Sequence, residues 1–148
     1  GGQPRVVIDY AHTPDALEKV LASLREHVRG DLICVFGCGG DRDRGKRPMM
    51  GAVVRRLADR VVLTDDNPRH EDGSSIIEQI LAGMGDDAGV TVERDRARAI
   101  AGAVACAGSD DLVLVAGKGH EDCQLVGDLK LPFSDREQVD KAFAEYQR

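Results

Sequence analysis

The chain has 148 residues, 42% of them hydrophobic and 31% charged, the balance of one ordinary soluble domain with a single buried core. Its 26 acids against 20 bases leave a net charge of −6, and three Phe, two Tyr and no Trp offer little for base stacking. A nucleic-acid binder that works by backbone neutralisation is therefore excluded, and no apolar run approaches the roughly 20 residues of a membrane span.

The start, GGQPRVVIDY, has no initiator Met and no signal-peptide pattern, and enters a strand almost at once. That predicts a piece of a longer protein, with Gly1 and Gly2 either native or introduced. Arg5–Ile8 reads as a buried strand. Thr13 caps a helix with Pro14 at its first position, and Leu17, Val20, Leu21, Leu24 and Val28 recur at helical spacing, with Gly30 placed just past the end. Leu32–Phe36 is a second strand, followed by a long loop and a helix over about 48–58. Val61–Thr64 is a third strand. A helix near 75–84 follows, with Ser75 and Glu78 offering a capping box.

Val90–Glu93 predicts a short fourth strand, and Asp95 caps an Ala-rich helix to about Ala107. Leu112–Ala116 (LVLVA) is a continuous apolar run, as expected of a strand covered on both faces. Two short strands, 124–126 and 130–133, form a hairpin across Gly127-Asp128, and Ser134 with Glu137 opens a last helix to about Tyr146. Of the four cysteines, Cys34 and Cys106 sit in apolar patterns and read as buried thiols. Cys38 and Cys123 fall in loops, with no C-x-x-C pair, and a metal site from them is a weak reading. Unpaired thiols point to a reducing compartment, the cytoplasm.

Strands alternating with helices predict an α/β, Rossmann-like open sheet, mostly parallel, flanked by helices, with a short antiparallel hairpin near the C-terminus. In such a sheet the loops leaving the strand C-termini share one edge, where ligands bind. Here those loops are DYAHTP, GCGGDRDRGKRP, TDDNPRHED and AGKGHED, and they hold most of the chain's unusual chemistry. The return loops around Arg29–Asp31 and Ala107–Asp111 are bland beside them.

The stretch GCGGDRDRGKRP, Gly37 to Pro48, nearly spells a phosphate loop: Gly40, four residues, Gly45 and Lys46. Arg47 then stands where a Ser or Thr should hold Mg²⁺, and Asp41 and Asp43 would repel phosphates. Mixed charge on a glycine-rich loop suits a zwitterion better, since Arg42 can grip a carboxylate with two donors. The plainer alternative is that Asp41–Arg44 pair with one another at the surface. In Asp66-Asn67-Pro68-Arg69 the Pro ring stiffens what is otherwise a simple turn and aims Asn67 and Arg69. Gly117 and Gly119 flank Lys118, and Glu121 and Asp122 follow, so that a carboxylate here can take a ligand ammonium; His120 reads as structural. Asp9, at the tip of the first strand, can accept from a ribose hydroxyl pair, and His12 either lies near phosphates or packs locally.

Together DYAHTPDALEK, FGCGGDRDRGKRP, TDDNPR and LVLVAGKGHED, in that order, resemble the C-terminal domain of the Mur ligases, the ATP-dependent amino-acid-adding enzymes of peptidoglycan synthesis. Asp66-Asn67-Pro68-Arg69 matches the motif of the members that add diaminopimelate; Cys123, where an aromatic is common, is a minor departure. The resemblance implies that residues 1–148 are one domain of a three-domain, cytoplasmic bacterial ligase, inactive alone. It further implies that ATP activates the D-glutamyl carboxylate of UDP-MurNAc-L-Ala-D-Glu as an acyl phosphate, which an amine of meso-2,6-diaminopimelate attacks. Arg42, Asp66, Asn67, Pro68, Arg69, Gly117 and Glu121 would form the diaminopimelate site. Arg69 would take the carboxylate at the D-configured end, Arg42 the other carboxylate, and Glu121 with the Gly117 carbonyl the ammonium. Asp9, Tyr10 and His12 would close over ATP, while the N-terminal and central domains would supply the rest, including the phosphate loop and the Mg²⁺ ligands. No metal site is expected on this chain. The competing reading is a stand-alone α/β nucleotide- or anion-binding module without catalysis.

Overall fold

The structure is a computed structural model that describes residues 2–85 and 89–146. In chain order the elements are β1 (Arg5–Asp9), α1 (Pro14–Arg25), β2 (Leu32–Phe36), α2 (Lys46–Leu57), β3 (Arg60–Leu63) and α3 (Gly73–Ala82). They continue with β4 (Val90–Val92), α4 (Arg96–Ala105), β5 (Leu112–Ala116), the strands β6 (Cys123–Val126) and β7 (Leu129–Pro132), and α5 (Asp135–Tyr146). Five strands pair in parallel in the order β1-β5-β2-β3-β4, while β6 and β7 form a separate antiparallel hairpin. Among the described residues, no helix is long and apolar enough to cross a membrane.

The two continuous apolar runs occupy the centre, β2 beside β5, with every residue of both buried. Their alternate residues feed two separate layers. Leu32, Cys34, Phe36, Leu112 and Leu114 pack with Leu17 and Leu21 of α1, Met50 and Val54 of α2, and Ile76 and Ile80 of α3. Ile33, Val35, Val113 and Val115 pack on the other face with Ile100 and Ala103 of α4 and Val139 of α5. Each such fully buried Leu or Ile contributes about 1.5–3 kcal/mol, which makes the sheet centre the rigid part of the molecule. After β2 the chain moves outward to β3 and β4, then returns to place β5 on β2's other side. That reversal opens a crevice above the C-terminal ends of β2 and β5.

Local expectations were met in part. Thr13 caps α1, accepting from the Ala16 amide at 3.2 Å, and Asp95 caps α4, accepting from Arg98 at 3.2 Å. The Ser134 hydroxyl accepts from the Glu137 amide at 3.2 Å. Four readings need correction. The cap of α3 is Asp72, accepting from Ser74 at 3.0 Å, so the helix starts before the Ser75–Glu78 pair can act as a box. Helix α1 ends at Arg25, short of Gly30, which instead lies in the loop before β2, close against the Asp110 backbone and the Asp111 carboxylate, with its amide donating to Asp110 O at 2.8 Å. Cys106 is exposed, because α4 stops at Ala105 and turns it outward. Cys123 opens a strand instead of lying in a loop. The reading of Gly1 as native or introduced lies outside the described residues.

Candidate functional site

The loops leaving β1, β2, β3 and β5 meet over the crevice in a cleft of about 330 Å³. Its lining includes Arg42, Asn67, Arg69, Gly117 and Glu121, with Asp66 at the base and Tyr10 and His12 on one rim. Two of the residues singled out from sequence lie outside the lining. Pro68 is buried, its carbonyl pressed where a Gly40 side chain would have to be, so only glycine allows loop 37–45 to approach loop 65–72. Asp9 ends β1 with its Oδ1 accepting from the Ala11 amide at 2.8 Å, a local turn.

Arg42 and Arg69 are on the same side of the molecule. A side-chain carbon built on Gly39 would sit 2.7 Å from Arg69 Nη1 and 3.5 Å from Arg42 Cγ. Arg69 adopts a left-handed backbone, φ 54, uncommon for a residue with a side chain. Its amide donates to Leu125 O at 3.0 Å and its Nη1 to Gly40 O at 2.9 Å, which hold that conformation from the hairpin and from the neighbouring loop. Within the Asp41–Arg44 stretch Arg42 Nη1 donates to Asp41 O at 2.9 Å, while the charged partners lie outside it: the Asp41 carboxylate is 3.0 Å from His70 Nδ1, and Arg44 approaches Glu71 at 3.7 Å.

Asn67 is oriented by what its oxygen accepts. Lys118 Nζ donates to Oδ1 at 2.9 Å and the Leu125 amide at 3.0 Å, which turns the Nδ2 donor towards Glu121 Oε1 at 3.4 Å. Lys118 is fully buried and also donates to Glu121 Oε1 at 3.2 Å. A buried ammonium needs such partners, since an unpaired one costs several kcal/mol. Asp66 is buried as well, and burial raises its carboxyl above the usual range against the opposing pull of Arg96 and Lys118. At Gly117, φ is 114 and a side-chain carbon would meet Asp66 Oδ2 at 2.6 Å, so both the backbone and the neighbour require glycine.

Behind the cleft lies a second buried charge pair. Arg96 donates to Asp135 through Nε at 2.7 Å and Nη2 at 2.8 Å, with both side chains fully buried. The same guanidinium reaches Asp65 O at 3.2 Å and Ala116 O at 3.1 Å, so it braces the starts of both the Asp66–Arg69 and the Gly117–Glu121 segments. Of the three buried cations Arg47, Lys118 and Arg96, Arg47 reads in the sequence only as the break in a phosphate-loop pattern, Lys118 only as the residue between two glycines, and Arg96 does not stand out; the one available signal is their place beside glycine turns and helix starts. On the β1 rim, Tyr10 is 55% exposed, and His12 meets it edge-on at 4.7 Å while its Nδ1 lies 2.9 Å from Tyr10 O. His120 is exposed and outside the cleft lining. Cys38 is buried against Met50 Sδ at 3.6 Å, and burial raises its thiol to about 12. Among the described residues, no group of three or more His, Cys, Asp or Glu is placed to hold a metal ion.

The family described as "Mur ligase, glutamate ligase domain" matches residues 1–119. The chain belongs to the Mur ligase family. It is 58% identical over 144 residues to the UDP-N-acetylmuramoyl-L-alanyl-D-glutamate–2,6-diaminopimelate ligase of Parasynechococcus marenigrum (strain WH8102), which covers 97% of this chain and 29% of that protein. The ligase of the same name from Coxiella burnetii is 58% identical over 140 residues, 95% of this chain and 29% of its own length. A solved structure of a ligase of that name superposes with a TM-score of 0.94 at 42% identity, over all of this chain and 31% of the other. This Mur ligase domain thus spans under a third of the length of the relatives it matches.

Proposed function

We propose that the chain is the C-terminal, amino-acid-binding domain of a three-domain, ATP-dependent ligase that joins meso-2,6-diaminopimelate to UDP-MurNAc-L-Ala-D-Glu in the bacterial cytoplasm, a step of peptidoglycan synthesis. The observation that carries it is the placement of Arg42 and Arg69 beside Asn67 and Glu121 in one cleft. Diaminopimelate bears two carboxylates and two ammonium groups, and this lining offers cations and acid to match. Arg69 takes the carboxylate of the D-configured end, assisted by the Nδ2 donor that Lys118 and Leu125 leave facing inward on Asn67. Arg42 holds the second carboxylate. Glu121, whose two donors converge on Oε1, receives the ammonium with Oε2 and the Gly117 carbonyl.

Catalysis by these residues is positioning: the amine is held in line with the activated D-glutamyl carboxylate while water is excluded. Tyr10 and His12 form the rim that closes over ATP, whose phosphates and Mg²⁺ belong to the central domain. Lysine lacks the second carboxylate and would leave Arg69 unpaired in a desolvated cleft, a penalty of about 1–3 kcal/mol.

The test is steady-state kinetics of the full-length ligase. Arg69→Ala should raise KM for diaminopimelate roughly 10- to 100-fold, the loss of one charged hydrogen-bond pair, with KM for ATP little changed. An unchanged KM for diaminopimelate would remove its assigned role. Calorimetric titration of this chain with diaminopimelate, lysine and ATP distinguishes the stand-alone module: heat with ATP alone would favour it.

A further inference from the structure

Arg47 and Glu71 form a buried unit that the ligand contacts leave unexplained. Arg47 lies in the first turn of α2 and is 1% exposed. The helix dipole disfavours a cation there, and burial of a guanidinium is costly, so its partners must hold it. Nη1 donates to Glu71 Oε2 at 2.9 Å and Gln79 Oε1 at 3.0 Å, while Nη2 donates to Glu71 Oε1 at 3.0 Å and Gly39 O at 2.8 Å. Glu71 Oε1 also accepts from the Asp41 amide at 2.7 Å. The two-pronged contact with Arg47, with burial opposing it, holds the Glu71 carboxyl down at about 2, so it stays charged at any working pH.

These bonds fix the two loops that carry the cleft's cations. Gly39, whose carbonyl Arg47 grips, leaves the place of a side-chain carbon to Arg69 Nη1 and Arg42 Cγ, which lie 2.7 and 3.5 Å from that position. Asp41, whose amide Glu71 grips, is left-handed at φ 55 and directly precedes Arg42, which donates Nη1 to Asp41 O at 2.9 Å. Glu71 itself follows Arg69 by two residues. One guanidinium and one carboxylate therefore tie the backbone beneath Arg42 to the backbone beside Arg69.

We infer that Arg47, acting through Glu71, is a positioning residue that sets the spacing of Arg42 and Arg69 and with it the preference for an amino acid bearing two carboxylates over one bearing a single carboxylate. The inference rests on the diaminopimelate reading of the cleft. Arg47→Lys keeps the charge but cannot make the four-way fork, and Glu71→Gln keeps the shape but loses the charge.

In the full-length ligase both variants should raise KM for diaminopimelate about tenfold or more and lower the diaminopimelate-to-lysine ratio of kcat/KM by a similar factor. KM for ATP and for the UDP-sugar dipeptide should stay within about twofold, and Tm within a few degrees. An unchanged ratio would overturn the inference. So would a parallel rise of all three KM values with a falling Tm, or failure of both variants to fold, since the pair would then serve the fold alone. Wild-type enzyme run beside them separates the two readings: if it uses diaminopimelate while the variants match it, only the positioning role is lost. If it does not use diaminopimelate, both fall.

Discussion

The two rims of the cleft are built differently. The rim from β2, β3 and β5 is cross-braced by buried charges: Arg47 with Glu71, Lys118 with Asn67 and Glu121, Arg96 with Asp135. The β1 rim is tied chiefly to itself, Asp9 to Ala11 and Tyr10 to His12, and the Gly117 amide donates to Asp9 O at 3.0 Å where it joins the rest. Recognition of a small zwitterion needs donors fixed before the ligand arrives, because every side chain ordered on binding subtracts from affinity. A rim that meets a second part of the same polypeptide has no such need. The contrast supports assigning amino-acid choice to the braced rim and closure to the other.

The largest way to break that contrast is at Asp135. Asp135→Ala leaves Arg96 charged, buried and unpaired, and should cost about 3–5 kcal/mol in urea unfolding of this chain. Amide NMR shifts should concentrate at residues 65–69 and 116–118, which Arg96 touches, and spare 9–12; equal disturbance of both rims would erase the distinction. A smaller effect is expected at Gly117, where the rims meet. Gly117→Ala imposes φ 114 on a residue with a side chain and drives it against Asp66 Oδ2, a cost of about 1–3 kcal/mol. Urea unfolding with full stability retained would mean that the loop shifts to relieve both the backbone strain and the contact with Asp66.

This division also explains what could be read from the residues alone. The sheet was legible because LICVF and LVLVA admit no other use, and the four loops followed from topology. Arg42, Asn67, Arg69 and Glu121 stood out because guanidinium, amide and acid beside glycine and proline turns are unusual on a bland surface. The braces were not legible. Arg47 and Lys118 score as solvated by any hydropathy rule, and their burial depends on partners 24 and 51 residues away that no local pattern names. Arg96 was hidden the same way, its partner 39 residues on in a different helix. The Ser75–Glu78 box failed for a nearer reason: Asp72 is as good a cap and comes first.

The smallest effect belongs to His70, a brace of the same rim placed in solvent. Its Nε2 lies 2.8 Å from Asp128 Oδ1 at the hairpin turn and its Nδ1 3.0 Å from Asp41 Oδ2, and those carboxylates, Asp128 first, raise its pKa. A histidine whose folded pKa lies above its unfolded value, about 6.5, stabilises fully below that value and loses the contribution as pH rises through the folded pKa. The thermal midpoint should therefore fall slightly as pH rises above about 6.5, and His70→Gln should flatten that fall. The effect should shrink further in high salt, because the group is exposed and its partners are screened. An identical pH slope in wild type and His70→Gln would show that the hairpin is held by contacts that do not titrate, among them Asn67 Oδ1 to the Leu125 amide, Gln124 to Asp66 O and the Arg69 amide to Leu125 O. The braced rim would then owe nothing to the charge on His70, and the buried pairs with the backbone bonds between its loops would suffice to hold it.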